Sequence, residues 1–155
     1  MARIPPQLIS LIQEFEGLRL EPYDDQAGYP TIGWGHLILP GENFTTITED
    51  EALALLMRDI QPAANHVDDL VGPLLNDDQF SACVSLCFNI GTGNFSSSSV
   101  LRFIKQPNLA QAGESFLLWN KITTDGELVA SRGLTNRRTR EKALFDGTTE
   151  AEPGV

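Results

Sequence analysis

The stretch NDDQFSACVSLCFNIG, residues 76–91, is the feature that most restricts how this chain can fold. Asn76 is a typical helix N-cap, the two aspartates after it favour the positive helix end, and Gly91 is a typical stop. Between these ends the sequence is mostly apolar around the helix. A helix of this kind is buried on nearly all sides, so the rest of the chain must surround it.

Other segments have helical spacing and supply these neighbours. Residues 5–17 predict an amphipathic helix that starts with two prolines and ends at a glycine. A capping box at Thr48 and Glu51 predicts the start of another helix, which Pro62 and Gly72–Pro73 are expected to interrupt. Shorter helices are predicted in FSSSSVLRFIKQ, NLAQAGESFLLWN and TNRRTREKALF.

The segment after the first helix has a strand pattern instead. LRLEPY and TIGWGHL predict short strands around the turn DDQAGYP, and an Asp-Gly turn at 125–126 predicts a second hairpin. The predicted fold class is therefore α+β and mostly helical. A small strand-rich lobe is expected at about 17–45, a helical lobe at about 46–147 together with the first helix, and a frayed tail at 148–155.

Length and composition exclude several classes of protein. A chain of 155 residues, 41% of them hydrophobic, is long enough to bury a core. No apolar run approaches the ~20 residues that span a bilayer, and MARIPPQLIS lacks the apolar region of a signal peptide. A net charge of −10 opposes general affinity for nucleic acid or anionic membranes. We therefore expect synthesis in the cytoplasm, no nucleic-acid partner and no stable membrane association.

Cysteine usage predicts no metal site, and no cofactor is expected. Cys83 and Cys87 lie four residues apart on one side of the central helix, where buried free thiols are the favoured interpretation. Only His36 and His66 are available as further soft ligands.

Cationic residues are concentrated near the C-terminus. Five of the eleven lie in one short stretch, and these are Arg132, Arg137, Arg138, Arg140 and Lys142. Two interpretations stay open: a solvated helix face, or a cationic wall beside an anionic ligand.

The segment EGLRLEPYDDQAGYPTIGWGH, residues 16–36, contains candidate catalytic groups. Glu16 follows Phe15 at a helix end, where partial desolvation favours its protonated form. Asp25 lies in a polar turn, where it is expected to be ionised, and Thr31 carries a hydroxyl suited to holding a water. Cleavage of a glycosidic bond needs such an acid and such a partner. On this chemistry alone, ordinary hairpin carboxylates are the favoured explanation of the pattern.

Three stretches resemble one family in the expected order. FEGLRLEPYDDQAGYPTIGWGH resembles the active-site segment of tailed-bacteriophage lysozymes, glycoside hydrolase family 24, in which Glu is followed by Asp, Thr and G-x-G-H. CVSLCFNIGTGNFSSSSVLRFI resembles the buried central helix of that family and the helix after it. GLTNRRTREKALF resembles its C-terminal helix. The resemblance covers nearly the whole chain and implies a two-lobed lysozyme-like fold.

The resemblance also implies roles for the matching residues. Glu16 becomes the general acid, Asp25 the base or electrostatic partner, and Thr31 a residue that places the attacking water. The implied substrate is bacterial peptidoglycan, cut between N-acetylmuramic acid and N-acetylglucosamine. Inversion at the anomeric carbon is expected by analogy, which requires carboxyl groups roughly 6.5–9.5 Å apart.

Further residues receive supporting roles from the same resemblance. Arg137 matches an arginine that pairs with the catalytic glutamate, and His36 is expected to form a structural ion pair with Asp59. Candidate substrate contacts are Trp34, Asn89 and Arg138, although core packing explains Trp34 equally well.

Alternative functions belong to other classes. A lytic transglycosylase needs one glutamate only, so Asp25 and Thr31 disfavour it. A wall-binding module without activity has no need of all three residues, and a chitinase lacks support because no chitin-binding segment is evident. The expected enzyme is a monomer that acts in the periplasm or cell wall. Because no export segment is seen, it is expected to depend on a holin for release.

Overall fold

The apolar segment at 76–91 forms the central helix of the larger lobe. The structure is a computed structural model that describes residues 1–148, and in it α3 spans Asp77–Ile90. Asn76 and Gln79 form a reciprocal capping box at its start, and Gly91 follows its end. Residues 80–87 are all buried, which confirms the prediction that other elements enclose this helix.

The surrounding helices have the bounds α1 Pro6–Phe15, α2 Glu49–Val71, α4 Thr92–Ser96, α5 Ser99–Lys105, α6 Leu109–Ser115 and α7 Arg132–Asp146. Single 3-10 turns lie at Gly72–Leu74 and Phe116–Leu118. Helix α3 packs most extensively against α7 and also contacts α1 and α2. Most of the tail predicted at 148–155 lies outside the described residues, which end at residue 148.

The smaller lobe contains a three-stranded antiparallel sheet in the order β1-β2-β3. Its strands are β1 Arg19–Asp24, β2 Pro30–Gly33 and β3 His36–Leu37. Thr31 pairs with Tyr23 on one side and Leu37 on the other, while Ile32 pairs with His36. Because neighbouring residues of a strand point to opposite faces, Thr31 lies on the face opposite to Ile32.

TIGWGHL, expected as one strand, is divided into β2 and β3 by a tight turn. Gly33 and Gly35 both adopt positive φ, +68° and +77°, which residues with a Cβ rarely tolerate. The turn allows β3 to fold back on β2, so a single segment supplies two strands of the sheet.

The expectation that Pro62 interrupts the second helix is wrong, because α2 continues through it to Val71. Ile60, Ala63 and Val67 are buried on both sides of the proline. Packing of this apolar face offsets a proline cost of ~3 kcal/mol. The interruption expected at Gly72–Pro73 is present as a 3-10 turn.

Two hydrophobic clusters form the interior, and one side chain contacts both. The large cluster surrounds α3, and the small one consists of Ile32, Ile47 and Ala52. Trp34, in the turn between β2 and β3, packs against both clusters. Its indole therefore connects the sheet to the helical lobe.

The predicted second hairpin is present near the C-terminus, with β4 at Lys121–Thr124 and β5 at Glu127–Ala130. Asp125 and Gly126 have φ of +51° and +80°, as expected for the turn that suits a twisted hairpin.

The cysteines are the buried free thiols that the sequence predicted. Burial raises the pKa of Cys83, and it raises that of Cys87 to about 11. Both thiols therefore stay protonated and unreactive near neutral pH.

None of the helices in residues 1–148 has both the length and the apolar character needed to cross a membrane.

Candidate active site

Glu16 lies where helix α1 ends and the chain turns towards the sheet. Its backbone N–H donates to the Ile12 carbonyl, and its own φ and ψ are already extended. The side chain therefore leaves the helix at the junction of the two lobes. It is 31% exposed, which leaves the carboxyl accessible but poorly solvated.

Two opposing effects set the protonation of Glu16. Burial raises its pKa above the ordinary value of 4.5, and the Arg137 guanidinium, with Nη1 at 3.7 Å from Oε1, acts against this. The burial effect is the larger, so the pKa of Glu16 is raised. The carboxyl therefore keeps its proton to a higher pH than an exposed glutamate does.

The backbone of Gly35 lies directly against this carboxyl. A Cβ at this position would be 2.8 Å from Glu16 Oε2, closer than such atoms approach. The φ of +77° disfavours a side chain as well. Glycine thus allows the turn between β2 and β3 to cover one side of Glu16.

Arg137 is held on its core side by the buried carboxyl of Glu141. Arg137 is 5% exposed, and its Nε lies 3.4 Å from Oε2 of the fully buried Glu141. Ser85 on α3 donates its hydroxyl to the same oxygen at 2.6 Å. The guanidinium also lies 5.7 Å from the centre of the Phe15 ring. These contacts position Arg137 between Glu16 and the core.

Arg138, a candidate substrate contact, is completely buried and therefore cannot present a binding surface to a sugar. Its Nη1 lies 2.9 Å from Glu141 Oε1 without hydrogen-bond geometry, and its Nη2 donates to the Asn89 side-chain oxygen. Burial lowers the pKa of Arg138 despite the adjacent Glu141. The structure corrects this assignment: Arg138 connects α7 to α3 inside the protein.

The other cations of this stretch are largely divided among separate ion pairs and do not form a wall facing one ligand. Arg140 contacts Glu14 at 2.6 Å, and Lys142 contacts Asp146 at 2.7 Å. Arg132 is exposed at the start of α7. The interpretation of a cationic wall is therefore wrong.

Asp25 and Thr31 are connected through the peptide groups of Tyr29. Asp25 Oδ1 accepts the backbone N–H groups of Ala27 and Tyr29, both at 2.9 Å. The Thr31 hydroxyl donates to the Tyr29 carbonyl at 2.9 Å, and its side chain is 2% exposed. Asp25 itself is partly exposed. The turn therefore fixes one oxygen of Asp25 and leaves the carboxylate accessible.

His36 forms an ion-pair network with two carboxylates. Its Nδ1 lies 2.7 Å from Asp59 Oδ2, and its Nε2 lies 2.9 Å from Glu42 Oε1. Burial lowers the pKa of His36, but hydrogen bonds to Asp59 and Glu42 outweigh it, and the pKa is raised. Because both ring nitrogens are occupied, this histidine is suited to joining the sheet to α2 and not to catalysis.

The remaining candidate substrate contacts differ in exposure. Trp34 is partly buried by its contacts with both clusters. Asn89 is exposed at the end of α3 and lines a groove of about 520 Å³ together with Trp119 and Lys121. Of these side chains, Asn89 offers the more accessible polar group.

Several residues at this site were not singled out by the sequence. Glu141 follows Arg137 at a spacing that places both on one helix face, a usable signal for an ion pair. Ser85 is a polar residue within an apolar helix, which also indicates a buried partner. Gly35 lies within TIGWGHL, which the pattern predicts as one strand, and its contact with Glu16 arises only when the end of α1 meets the sheet.

Comparison with known proteins gives consistent matches over nearly the whole chain. A family model described as phage lysozyme matches residues 13–141. The endolysin of Salmonella phage P22 is 38% identical over 94% of this chain and 99% of its own length. The endolysin of Escherichia coli O157:H7 phage FAHEc1 superposes with a TM-score of 0.86, at 32% identity and over 92% of each chain. The muramidase domain of SpmX from Asticaccaulis excentricus gives a TM-score of 0.84, at 34% identity, over 94% of this chain and 98% of that domain.

Proposed function

The chain belongs to the phage lysozyme family, and we propose that it hydrolyses the β-1,4 bond between N-acetylmuramic acid and N-acetylglucosamine of peptidoglycan. The family identifies it as a lysozyme, a hydrolase that lyses peptidoglycan. The observation that carries the more specific proposal is the environment of Glu16, a half-buried carboxyl with a raised pKa at the junction of the lobes.

Glu16 acts as the general acid. Departure of a sugar hydroxyl requires protonation of the glycosidic oxygen, which a carboxylic acid performs only while it holds its proton. Its raised pKa supports this role, and the Arg137 guanidinium stabilises the carboxylate that remains after proton transfer.

Asp25 and Thr31 act on the water side of the reaction. The accessible carboxylate of Asp25 activates the attacking water or stabilises the developing positive charge on the sugar ring. The Thr31 hydroxyl helps to place that water. The hydrogen bonds to Tyr29 support this assignment: Asp25 accepts from its N–H and Thr31 donates to its carbonyl, so both side chains are fixed to the backbone of one residue.

The reaction proceeds with inversion at the anomeric carbon, since a water activated on the face opposite to the acid attacks directly. NMR of freshly formed product tests this, and an initial α-anomer is expected. Accumulation of the β-anomer as first product would instead require a covalent or otherwise retaining route.

The enzyme is made in the cytoplasm of a host bacterium, acts as a monomer on the wall and needs a holin for release. The net charge of −10 is unfavourable for approach to an anionic wall, so activity on whole cells should depend on salt.

The test compares lysis of purified peptidoglycan by the wild type, Glu16→Gln and Glu14→Gln. Glu14 belongs to the same helix, but its partner is Arg140 on the outside of α7, which makes it a matched control. We expect Glu16→Gln to lose about 10²–10⁴-fold in rate, the usual contribution of a general acid, and Glu14→Gln to stay near wild type.

Mass analysis of the fragments identifies the reaction. Products that carry one added water indicate hydrolysis, whereas 1,6-anhydro products would indicate a transglycosylase. Equal lysis by wild type and Glu16→Gln, with both proteins folded, would refute the role of Glu16.

A further inference from the structure

We propose that Glu141 is a positioning residue, which holds the Arg137 guanidinium partly away from Glu16 by competing for it from inside the protein. This inference rests on the proposed function, because it concerns how the general acid keeps its proton. Glu141 is a fully buried member of a chain of polar groups that runs from the cleft into the α3–α7 interface.

The contacts of Arg137 show that two carboxylates share it. Its Nη1 is 3.7 Å from Glu16 Oε1, which is longer than a hydrogen-bonded ion pair, and its Nε is 3.4 Å from Glu141 Oε2. Its Nη2 reaches the carbonyl and hydroxyl oxygens of Ser85, at 3.5 and 3.4 Å. Arg137 is therefore fixed on the Glu141 side and meets Glu16 only at a longer distance.

Glu141 is itself prevented from moving towards the cleft. Ser85 donates to its Oε2 at 2.6 Å, and Arg138 Nη1 lies 2.9 Å from its Oε1. Arg138 is in turn anchored to Asn89 on α3. Oε2 is hydrogen-bonded to α3 and Oε1 is in ionic contact with the buried face of α7, so Glu141 acts as a fixed anchor for Arg137.

Two guanidiniums and one hydroxyl lie against the Glu141 carboxyl, which is the geometry of a buried ion-pair network. Burial is the larger effect and raises the pKa of Glu141, while Arg138, Arg137 and the Ser85 hydroxyl act in the opposite direction. His36 follows the turn that covers Glu16, and its two ring nitrogens are hydrogen-bonded to Asp59 and Glu42. Cys83 on α3 interacts electrostatically with Glu141 and Cys87, and the Glu14–Arg140 ion pair joins α1 to α7.

Removal of the Glu141 charge should release Arg137 to form a closer ion pair with Glu16. An adjacent cation favours the ionised carboxylate, so Glu16 would lose its proton at a lower pH. The rate falls as pH rises through the titration of the general acid, and this alkaline limb should move to lower pH by about one unit.

The experiment is the pH dependence of kcat/KM on peptidoglycan for wild type, Glu141→Gln, Arg138→Met and the double variant Arg138→Met/Glu141→Met. The double variant replaces a buried ion pair by apolar side chains, a change that proteins often tolerate, and so protects the test if Glu141→Gln does not fold. Both variants that lack Glu141 should move the alkaline limb downward. Arg138→Met removes one contact of Glu141 but keeps its carboxylate and its hydrogen bond from Ser85, so it should not move the limb downward.

A purely structural role for Glu141 would lower thermal stability and leave the limb in place. An unmoved or upward-moved limb in a folded Glu141 variant would therefore overturn the proposal. Glu16→Gln distinguishes failure of this inference from failure of the proposed function. If Glu16→Gln is inactive while the alkaline limb does not move in the Glu141 variants, only this inference fails. If it remains active, the proposed function fails instead.

Discussion

Glu16 and Asp25 are held in different ways, although both lie in the same short segment. The partners of Glu16 come from the far end of the chain, through Arg137 and Glu141 on α7. The carboxyl oxygen of Asp25 is held by N–H groups no more than four residues away. Tertiary packing thus determines the environment of the proposed acid, and local backbone geometry determines that of its partner. Distant substitutions should therefore affect Glu16, and only nearby ones should affect Asp25.

The largest effect beyond Glu16 itself is expected from Asp25→Asn. The amide keeps an oxygen that accepts the turn hydrogen bonds, so stability should change by less than ~0.5 kcal/mol. Loss of the carboxylate should lower kcat by about 10²–10³-fold. The adjacent Asp24→Asn is the control and should stay within a factor of about two of wild type. A large loss of stability in Asp25→Asn would break the comparison, because the turn would then depend on the charge.

Gly35→Ala tests how closely the turn approaches Glu16. The added Cβ meets the Glu16 carboxyl in a backbone conformation that disfavours it, so we expect a loss of about 1–3 kcal/mol and at least tenfold lower activity. Gly41→Ala is the control, because its φ is +91° and no atom lies within 4 Å of an added Cβ. Similar activity in both variants would show that the contact with Glu16 is unimportant.

Ser85→Ala sharpens the comparison on the stability side. It removes the 2.6 Å hydrogen bond to buried Glu141, and such a loss costs about 1–3 kcal/mol. Chemical denaturation measures this loss of stability. The control is Thr139→Ala on the exposed face of α7, which should cost less than ~0.5 kcal/mol. A neutral Ser85→Ala would mean that the buried network does not hold α3 and α7 together.

The smallest effect is expected from Asp59→Asn, at a contact between the sheet and α2 that is partly exposed. The pKa of His36 is raised above its ordinary value of 6.5. The stability that protonated His36 contributes is therefore complete below pH 6.5, and it is lost as the pH rises through the folded-state pKa of the histidine. We expect a loss of about 1 kcal/mol near pH 5.5, which shrinks at higher pH. Thermal unfolding of both proteins across pH measures it, and a constant difference would exclude the ion pair.

Glu42 adds the opposite dependence at acid pH. A hydrogen bond from the Leu39 N–H, together with His36, lowers the pKa of Glu42 to about 2. The contribution of ionised Glu42 to stability is complete above pH 4.5, and it is lost as the pH falls towards its folded-state pKa of about 2. The stabilisation by this network should therefore be greatest between about pH 4.5 and 6.5.

Sequence reasoning succeeded where the signal is local. The capping box at Thr48, the helix cap at Asn76 and the turn at 125–126 are all present, because short-range hydrogen bonds and φ preferences decide them. Pro62 was misjudged because the packing of a whole helix face outweighs one local penalty. Arg138 was misjudged for a similar reason: charge suggests exposure, but its partners Glu141 and Asn89 become visible only when α7 packs against α3.

The central claim is that burial holds Glu16 protonated against the pull of Arg137. Titration of the Glu16 side-chain carboxyl carbon by NMR, with Glu16→Gln to assign the signal, tests it without any substrate. The account predicts a midpoint above the ordinary value of 4.5. A midpoint at or below 4.5 would show that the ion pair dominates, and it would contradict the account.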